Sequence, residues 1–319
     1  MKTVNIFLSL IMFFMLALYS GYRGGGFDYE QYVLMINHIM TENTLQEQLL
    51  IAKDPIFGLI VHTISPNNDQ EIVNVFLVIA SIAFFAKLFF IKKIHRVITF
   101  TILYILFLSP SLDFAAIRAL LGLMFLLICM KYISEENKWM ALLFGLFSIF
   151  SHISMLLPII LSLSISEKII KTTSPFSFIC LMIIAFLSKP VLSLFKNTDA
   201  YINNSGTIFA LAPCILTLFS VLLLSMFNDN EDPFNKKLCI VALSLVAMSI
   251  GFVYPTVIAA SRYLQVAQLL ILFLICNVRF QLTLINILIY SVSIVLYIIP
   301  LLYRNIDLSL WDAVLTGKA

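Results

Sequence analysis

The chain has 319 residues, of which 61% are hydrophobic and 12% charged, with a formal net charge of +3. A mean hydropathy of +1.02 exceeds what a water-soluble core needs, and apolar runs recur near the length that crosses about 30 Å of hydrocarbon, so the composition excludes a large soluble domain. The small positive balance comes from loop lysines, which excludes a nucleic-acid-binding patch.

The first span is expected over residues 4–20, with Lys2 holding the N-terminus in the cytoplasm. No A-x-A-like cleavage site follows it, so the run reads as a retained helix and not a signal peptide. Residues 21–71 then lie outside as the longest polar stretch, in which Asp28, Glu30, Glu42, Glu47, Asp54, Asp69 and Glu71 outnumber Arg23 and Lys53. Gly24, Gly25 and Gly26 let the backbone turn tightly or approach a ligand; the plainer alternative is a solvated loop with a flexible start.

A second span, residues 72–90, delivers Lys87, Lys92, Lys93 and Arg96 to one end, a cytoplasmic mark. A short span over residues 97–108 returns outward and is expected to break at Ser109-Pro110-Ser111, because proline cannot continue the helix ladder. Asp113 and Arg118 follow at the mouth of the next span, five residues apart and so not on one helix face. Lys131 and Lys138 mark its inner end.

Residues 139–165 are either one long span or two short ones meeting near Ser151 and His152. Later apolar runs cover residues 176–187, 208–227, 238–253, 263–276 and 282–302, and the tail at 303–319, with Trp311, reads as a short interfacial helix. Twelve of the twenty Lys and Arg fall on the inner side under either option, so charge does not choose between them. Two short helices put Arg23, Asp28, Arg118, His152, Tyr201 and Arg262 at one outer face, as membrane ionisable groups that share a cavity should be. The expected fold is therefore all-α, a polytopic transmembrane helical bundle of about eleven (ten to twelve) helices. It forms a single integral membrane domain over residues 1–319, with an external loop at about 21–71.

Arg118 and His152 sit inside apolar helix material. An arginine at that depth costs on the order of 2.5–3.5 kcal/mol on insertion scales, which marks it as a functional candidate. For His152 the alternative is a helix-interior histidine bonded to a backbone carbonyl or to Ser151 or Ser154; for Arg262 it is a snorkelling interfacial arginine. Tyr32 and Tyr201 would stack on sugar rings or belong to an aromatic interfacial belt. Cys129, Cys180, Cys214, Cys239 and Cys276 fall one per apolar segment, without metal-type spacing, and read as small buried hydrophobes.

The runs R-G-G-G-F-D-Y-E-Q-Y (residues 23–32), D-P-I-F-G (54–58), F-A-A-I-R-A-L-L-G (114–122), F-S-H-I-S-M-L-L-P (150–158) and S-R-Y (261–263) come in the order seen in EpsG-like and Wzy O-antigen polymerases, and the chain resembles that family from Arg23 to Tyr263. It departs from the family at Asp54, where EpsG-like proteins usually carry Glu. The resemblance implies a GT-C-like membrane glycosyltransferase in the bacterial inner (cytoplasmic) membrane, multi-pass, with its active face periplasmic. Such enzymes act in lipopolysaccharide or related surface-polysaccharide biosynthesis. They transfer the growing glycan from undecaprenyl pyrophosphate onto an incoming lipid-linked repeat unit. The implied partners are those undecaprenyl-pyrophosphate-linked repeat units, membrane lipid and a chain-length regulator, with no nucleic acid.

The residue chemistry agrees. A pyrophosphate leaving group needs cations in a site of low dielectric, and arginine grips phosphate oxygens bidentately, so Arg23, Arg118 and Arg262 are the expected ligands. His152 and Asp28 are the candidate bases for the acceptor hydroxyl. No D-x-D pair or metal-type spacing is present in the sequence, so neither metal nor cofactor is expected. The alternatives are a lipid-linked oligosaccharide flippase or transporter, for which the internal repeats are missing, and an O-antigen ligase with the same arginine logic. A membrane acyltransferase is weaker, because His152 has no acidic neighbour in sequence.

Overall fold

Helices account for all the regular structure of the described residues, as expected where backbone polar groups must be satisfied within their own segment. The computed structural model describes residues 2–23, 28–91, 94–164, 175–188, 208–227, 233–307 and 309–310. Among the described residues six helices are long and apolar enough to cross a membrane: Lys2–Gly21, Gln70–Ile91, Ile117–Ser134, Phe234–Phe252, Val257–Asn277 and Leu284–Ile306. Shorter apolar helices of 10–17 residues accompany them. Each apolar run read from the sequence falls on one of these helices, and the chain is an all-α polytopic membrane protein.

The chain groups into two compact units, Met1–Ile159 with Arg304–Ala319, and Ile160–Tyr303. In the first unit, α1 (Lys2–Gly21) packs along α5 (Asp69–Ile91). Between them the polar stretch folds as α2 (Tyr29–Met40), α3 (Leu45–Ala52) and α4 (Pro55–Ile64), so from Tyr29 to Ile64 it is not a solvated loop. Tyr32, Ile36 and Ile39 of α2 and Phe57 and Val61 of α4 share one buried cluster with Ile72, Val75, Phe76 and Ile79 of α5. Local signals start these helices: the Thr44 hydroxyl accepts from the Glu47 amide to cap α3, and Pro55 opens α4, where its missing N–H costs nothing.

α6 (Val97–Leu103) corrects the expected break at Ser109-Pro110-Ser111. The helix continues into two π-helical stretches, Tyr104–Leu108 and Pro110–Ala115, and reverses only at Ala116, with φ −105 and ψ 55. The wider π spacing relieves the crowding between the Pro110 ring and the preceding turn, and the proline starts the second stretch, where its lack of an N–H is tolerated.

α7 (Ile117–Ser134) and α8 (Lys138–Ser151) then pack along each other. At His152 the backbone is extended, with φ −164 and ψ 120, before a 3-10 turn at Ile153–Met155 and α9 (Leu156–Ser164). A Cβ on Gly145 would meet Ile159 Cγ2 at 3.6 Å. Continuous helix would separate these residues by about 21 Å. The chain therefore folds back at His152 into two short helices.

The second unit contains α10 (Pro175–Phe186), α11 (Leu211–Ser225), α12 (Pro233–Phe252), α13 (Val257–Asn277) and α14 (Leu284–Asp307), of which the last turn, from Arg304, belongs to the first unit. α12 packs against α10, α11 and α13. Tyr201 and the tail from Trp311 lie outside the described residues.

Candidate functional site

Asp54 is the residue before α4, in extended conformation, and its carboxylate makes no capping bond to its own helix. It turns instead to two distant partners. Oδ2 accepts from Arg118 Nη1 at 2.6 Å and lies 3.2 Å from His152 Nδ1. An ionised carboxylate only accepts hydrogen bonds, so Nδ1 carries the hydrogen and Nε2 is left available. The Asp54 side chain is 4% exposed, whereas Arg118 is 25% and His152 20% exposed, so the acid is buried beneath two partly exposed partners.

Each member is placed by its own stretch of chain. Arg118 stands in the first turn of α7, just after the reversal at Ala116. His152 ends α8, and the contact of α8 with α4 brings it to Asp54. Gly122 makes that approach possible: a Cβ there would lie 2.7 Å from Met155 Cγ and 3.2 Å from the Ser148 carbonyl oxygen. The Ser148 hydroxyl donates to the Gly122 carbonyl at 2.7 Å and fixes the pairing.

An aromatic wall carries the arginines. The Arg118 guanidinium lies 5.7 Å from the Tyr32 ring and 5.8 Å from Phe57; that of Arg23 lies 5.9 Å from Tyr32 and 4.7 Å from Phe76. Such contacts contribute about 0.5–2 kcal/mol each. Tyr32 is buried, packed on Phe57 and Phe76, and so lies between the two cations.

Arg23 follows α1 and donates from Nη1 to the Phe114 carbonyl, an acceptor left over at the end of the second π-helical stretch. Burial pushes its guanidinium down to about 10, opposed by Tyr32 and Asp28, so it stays cationic at neutral pH. Arg23 Nε and Nη2 and Arg118 Nε are buried without a hydrogen-bond partner among the described residues. Asp28 precedes α2, where its charge acts on Arg23.

A second acid-centred cluster lies deeper. Lys87 donates to Asp113 Oδ1, and the Tyr104 hydroxyl donates to Oδ2 at 2.7 Å, all three side chains being buried. Lys87, read from the sequence as a cytoplasmic mark, is therefore an internal ion-pair partner. Asp113, just before α7, is the acid of this pair.

The structure thus brings together Arg118, His152, Tyr32 and Arg23, and adds Asp54, Phe57 and Phe76, which sequence reasoning did not assign to the site. The acidic partner missing near His152 in sequence is Asp54, 98 residues away. Arg262 belongs to the second unit, in the first half of α13, with Nη1 3.4 Å from Gln265. Tyr201 is not described. Among the described residues no group of three or more His, Cys, Asp or Glu is arranged to hold a metal ion.

The model of the EpsG family matches residues 6–315 of the chain. The chain belongs to the EpsG family. No curated relative and no solved structure matches it. As an EpsG protein it is a membrane protein of the polysaccharide-polymerase kind, and nearly the whole chain, including both acid-centred clusters, lies within the matched region.

Proposed function

We propose that this EpsG protein is a polymerase for O-antigen or a related surface polysaccharide, working at the periplasmic face of the bacterial inner membrane. The growing glycan leaves undecaprenyl pyrophosphate and joins the non-reducing end of an incoming lipid-linked repeat unit. The observation that carries this reading is the set of unmatched buried donors on Arg23 and Arg118, beside an imidazole with a free ring nitrogen. Buried guanidinium N–H groups without acceptors are stabilised by an anion with several oxygens, and pyrophosphate supplies them bidentately.

In the reaction the acceptor hydroxyl attacks the anomeric carbon as the C–O bond to pyrophosphate breaks. His152 Nε2 takes the hydroxyl proton, and Asp54, bonded to Nδ1, stabilises the imidazolium that forms. Arg118 and Arg23 stabilise the charge that develops on the leaving pyrophosphate. Arg23 and Arg118 present two guanidinium groups with unmatched buried donors, which favours an anion. Asp28 sits with Arg23 and adds to its local field.

The test is the surface-polysaccharide ladder of a deletion strain complemented with Arg118→Ala. The variant should insert normally and give only single repeat units on lipid A core, about 10²–10³-fold below wild type in long chains. Arg118→Lys should recover little, because an ammonium lacks the planar fork. Long chains at wild-type level in Arg118→Ala would remove the arginine from the site. Loss of even the first attached unit would point to a flippase or ligase.

A further inference from the structure

We propose that Asp113, gripped by Lys87 and Tyr104, is a positioning residue that fixes the turn from Phe114 to Arg118 and thereby sets both Arg23 and Arg118 on their anion. The proposal rests on pyrophosphate being the anion of the two arginines. It starts from an ion pair that stability alone does not explain: a buried pair is often replaceable by apolar residues at no loss. Both oxygens of Asp113 are engaged, one by Lys87 of α5 and one by Tyr104 at the start of the π-helical stretches. Lys87 Nζ also lies 4.6 Å from the Tyr104 ring and 5.6 Å from Phe13 of α1. The acid therefore joins α5 to the stretch that begins at Tyr104, and its lysine partner also touches α1.

Asp113 leads directly into the site. The next residue, Phe114, gives its carbonyl to Arg23 and packs its ring on Tyr19 of α1 at 5.5 Å. The chain reverses at Ala116, and Arg118 is the second residue of α7. Six consecutive residues thus hold the pinned acid, the acceptor for one arginine and the other arginine. The charge of Asp113 also supports the Arg23 cation.

The conformation of this stretch needs such a tie. π-helical turns are less favourable than α turns, and they open backbone groups to outside partners. In the last turn of α14, Arg304 Nη2 donates to Ser111 Oγ at 2.8 Å and Asn305 Nδ2 to the Phe107 carbonyl at 3.2 Å, both within the first unit. If the stretch slipped by one residue toward α spacing, everything after it would rotate by about 100°. The Phe114 carbonyl would leave Arg23 and the first turn of α7 would aim Arg118 away from Asp54. Asp113 blocks that slip, because its two bonds cannot accompany the rotation.

The experiment uses the full-length protein in lipid nanodiscs, with inorganic pyrophosphate as probe and its affinity measured by calorimetry beside the thermal unfolding midpoint. The variants are Lys87→Met/Asp113→Leu, which removes both charges, and Tyr104→Phe, which removes only the hydroxyl. The expected result is folded protein with an unfolding midpoint close to wild type and pyrophosphate affinity weakened about tenfold in the first and about threefold in the second, losses that a merely structural pair would not produce per folded molecule. Wild-type affinity in a folded Lys87→Met/Asp113→Leu variant overturns the proposal. If that variant does not fold, Tyr104→Phe decides on the same readout, with wild-type affinity again overturning it. Arg118→Ala is the control: unchanged binding there sinks the pyrophosphate reading and this proposal with it, whereas lost binding in Arg118→Ala beside wild-type binding in the other two sinks the positioning role alone.

Discussion

Two aspartates in the first unit do similar local chemistry with opposite outcomes. Asp54 and Asp113 each gather a cation and a second donor from distant parts of the chain. Around Asp113 the Lys87 and Asp113 side chains are 5% and 2% exposed, and Lys87, Tyr104 and Asp113 leave no buried polar atom unmatched. Around Asp54 the two partners are partly open, and Arg118 keeps an unused buried donor. Burial of charge therefore does not by itself mark a binding site here. What separates the two is the hydrogen-bonding capacity left over once the cluster has satisfied itself.

The comparison breaks most sharply on stability. Asp113→Leu strands the Lys87 ammonium in apolar surroundings and should cost about 3–5 kcal/mol, read as a large fall in unfolding midpoint in nanodiscs. Asp54→Leu, whose partners are 20–25% exposed, should cost less in the same assay. Equal losses would show that the two clusters are energetically alike.

Asp54→Asn sharpens it from the side of function. The amide keeps the shape and removes the charge that holds the imidazole and the guanidinium, so long-chain synthesis should fall about 10- to 100-fold, as when carboxylates that orient a histidine are lost, with the unfolding midpoint little changed. A polysaccharide ladder indistinguishable from wild type would leave Asp54 without a role in catalysis.

The smallest effect tests placement alone. Gly122→Val fills the space where Met155 and the Ser148 carbonyl approach α7. It should cost about 1–3 kcal/mol by overpacking and shift His152 away from Asp54, lowering synthesis more than the stability loss accounts for. Ser148→Ala, which removes a hydrogen bond and adds no bulk, should fall between wild type and Gly122→Val in the same ladder assay.

Several of these features were legible in the amino-acid sequence. The apolar runs gave the helices, because length and hydropathy are local properties. Arg118 and His152 stood out because an ionisable group inside apolar helix material is costly. Lys87 was misread: counting lysines as loop markers ignores that it lies within the run F-F-A-K-L-F-F, residues 84–90, and not at its end. The π-helical passage through Pro110 was hidden because proline predicts a break from the α-helix ladder and carries no signal for a widened turn. A hint of Asp54 existed in the D-P pair opening a helix, where an acid that does not cap is free to point elsewhere.

By itself the sequence determined that this chain is helical and spans a membrane, and that an arginine and a histidine must find partners within it. Only the tertiary structure decided which partners. Asp54 meets Arg118 across 64 residues and His152 across 98, and Lys87 meets Asp113 across 26. Helix formation depends on neighbours a few residues apart and is written locally. The meeting of two side chains depends on which helices pack, where Gly122 lets them close, and where the chain reverses at Ala116 and His152. No local pattern encodes that.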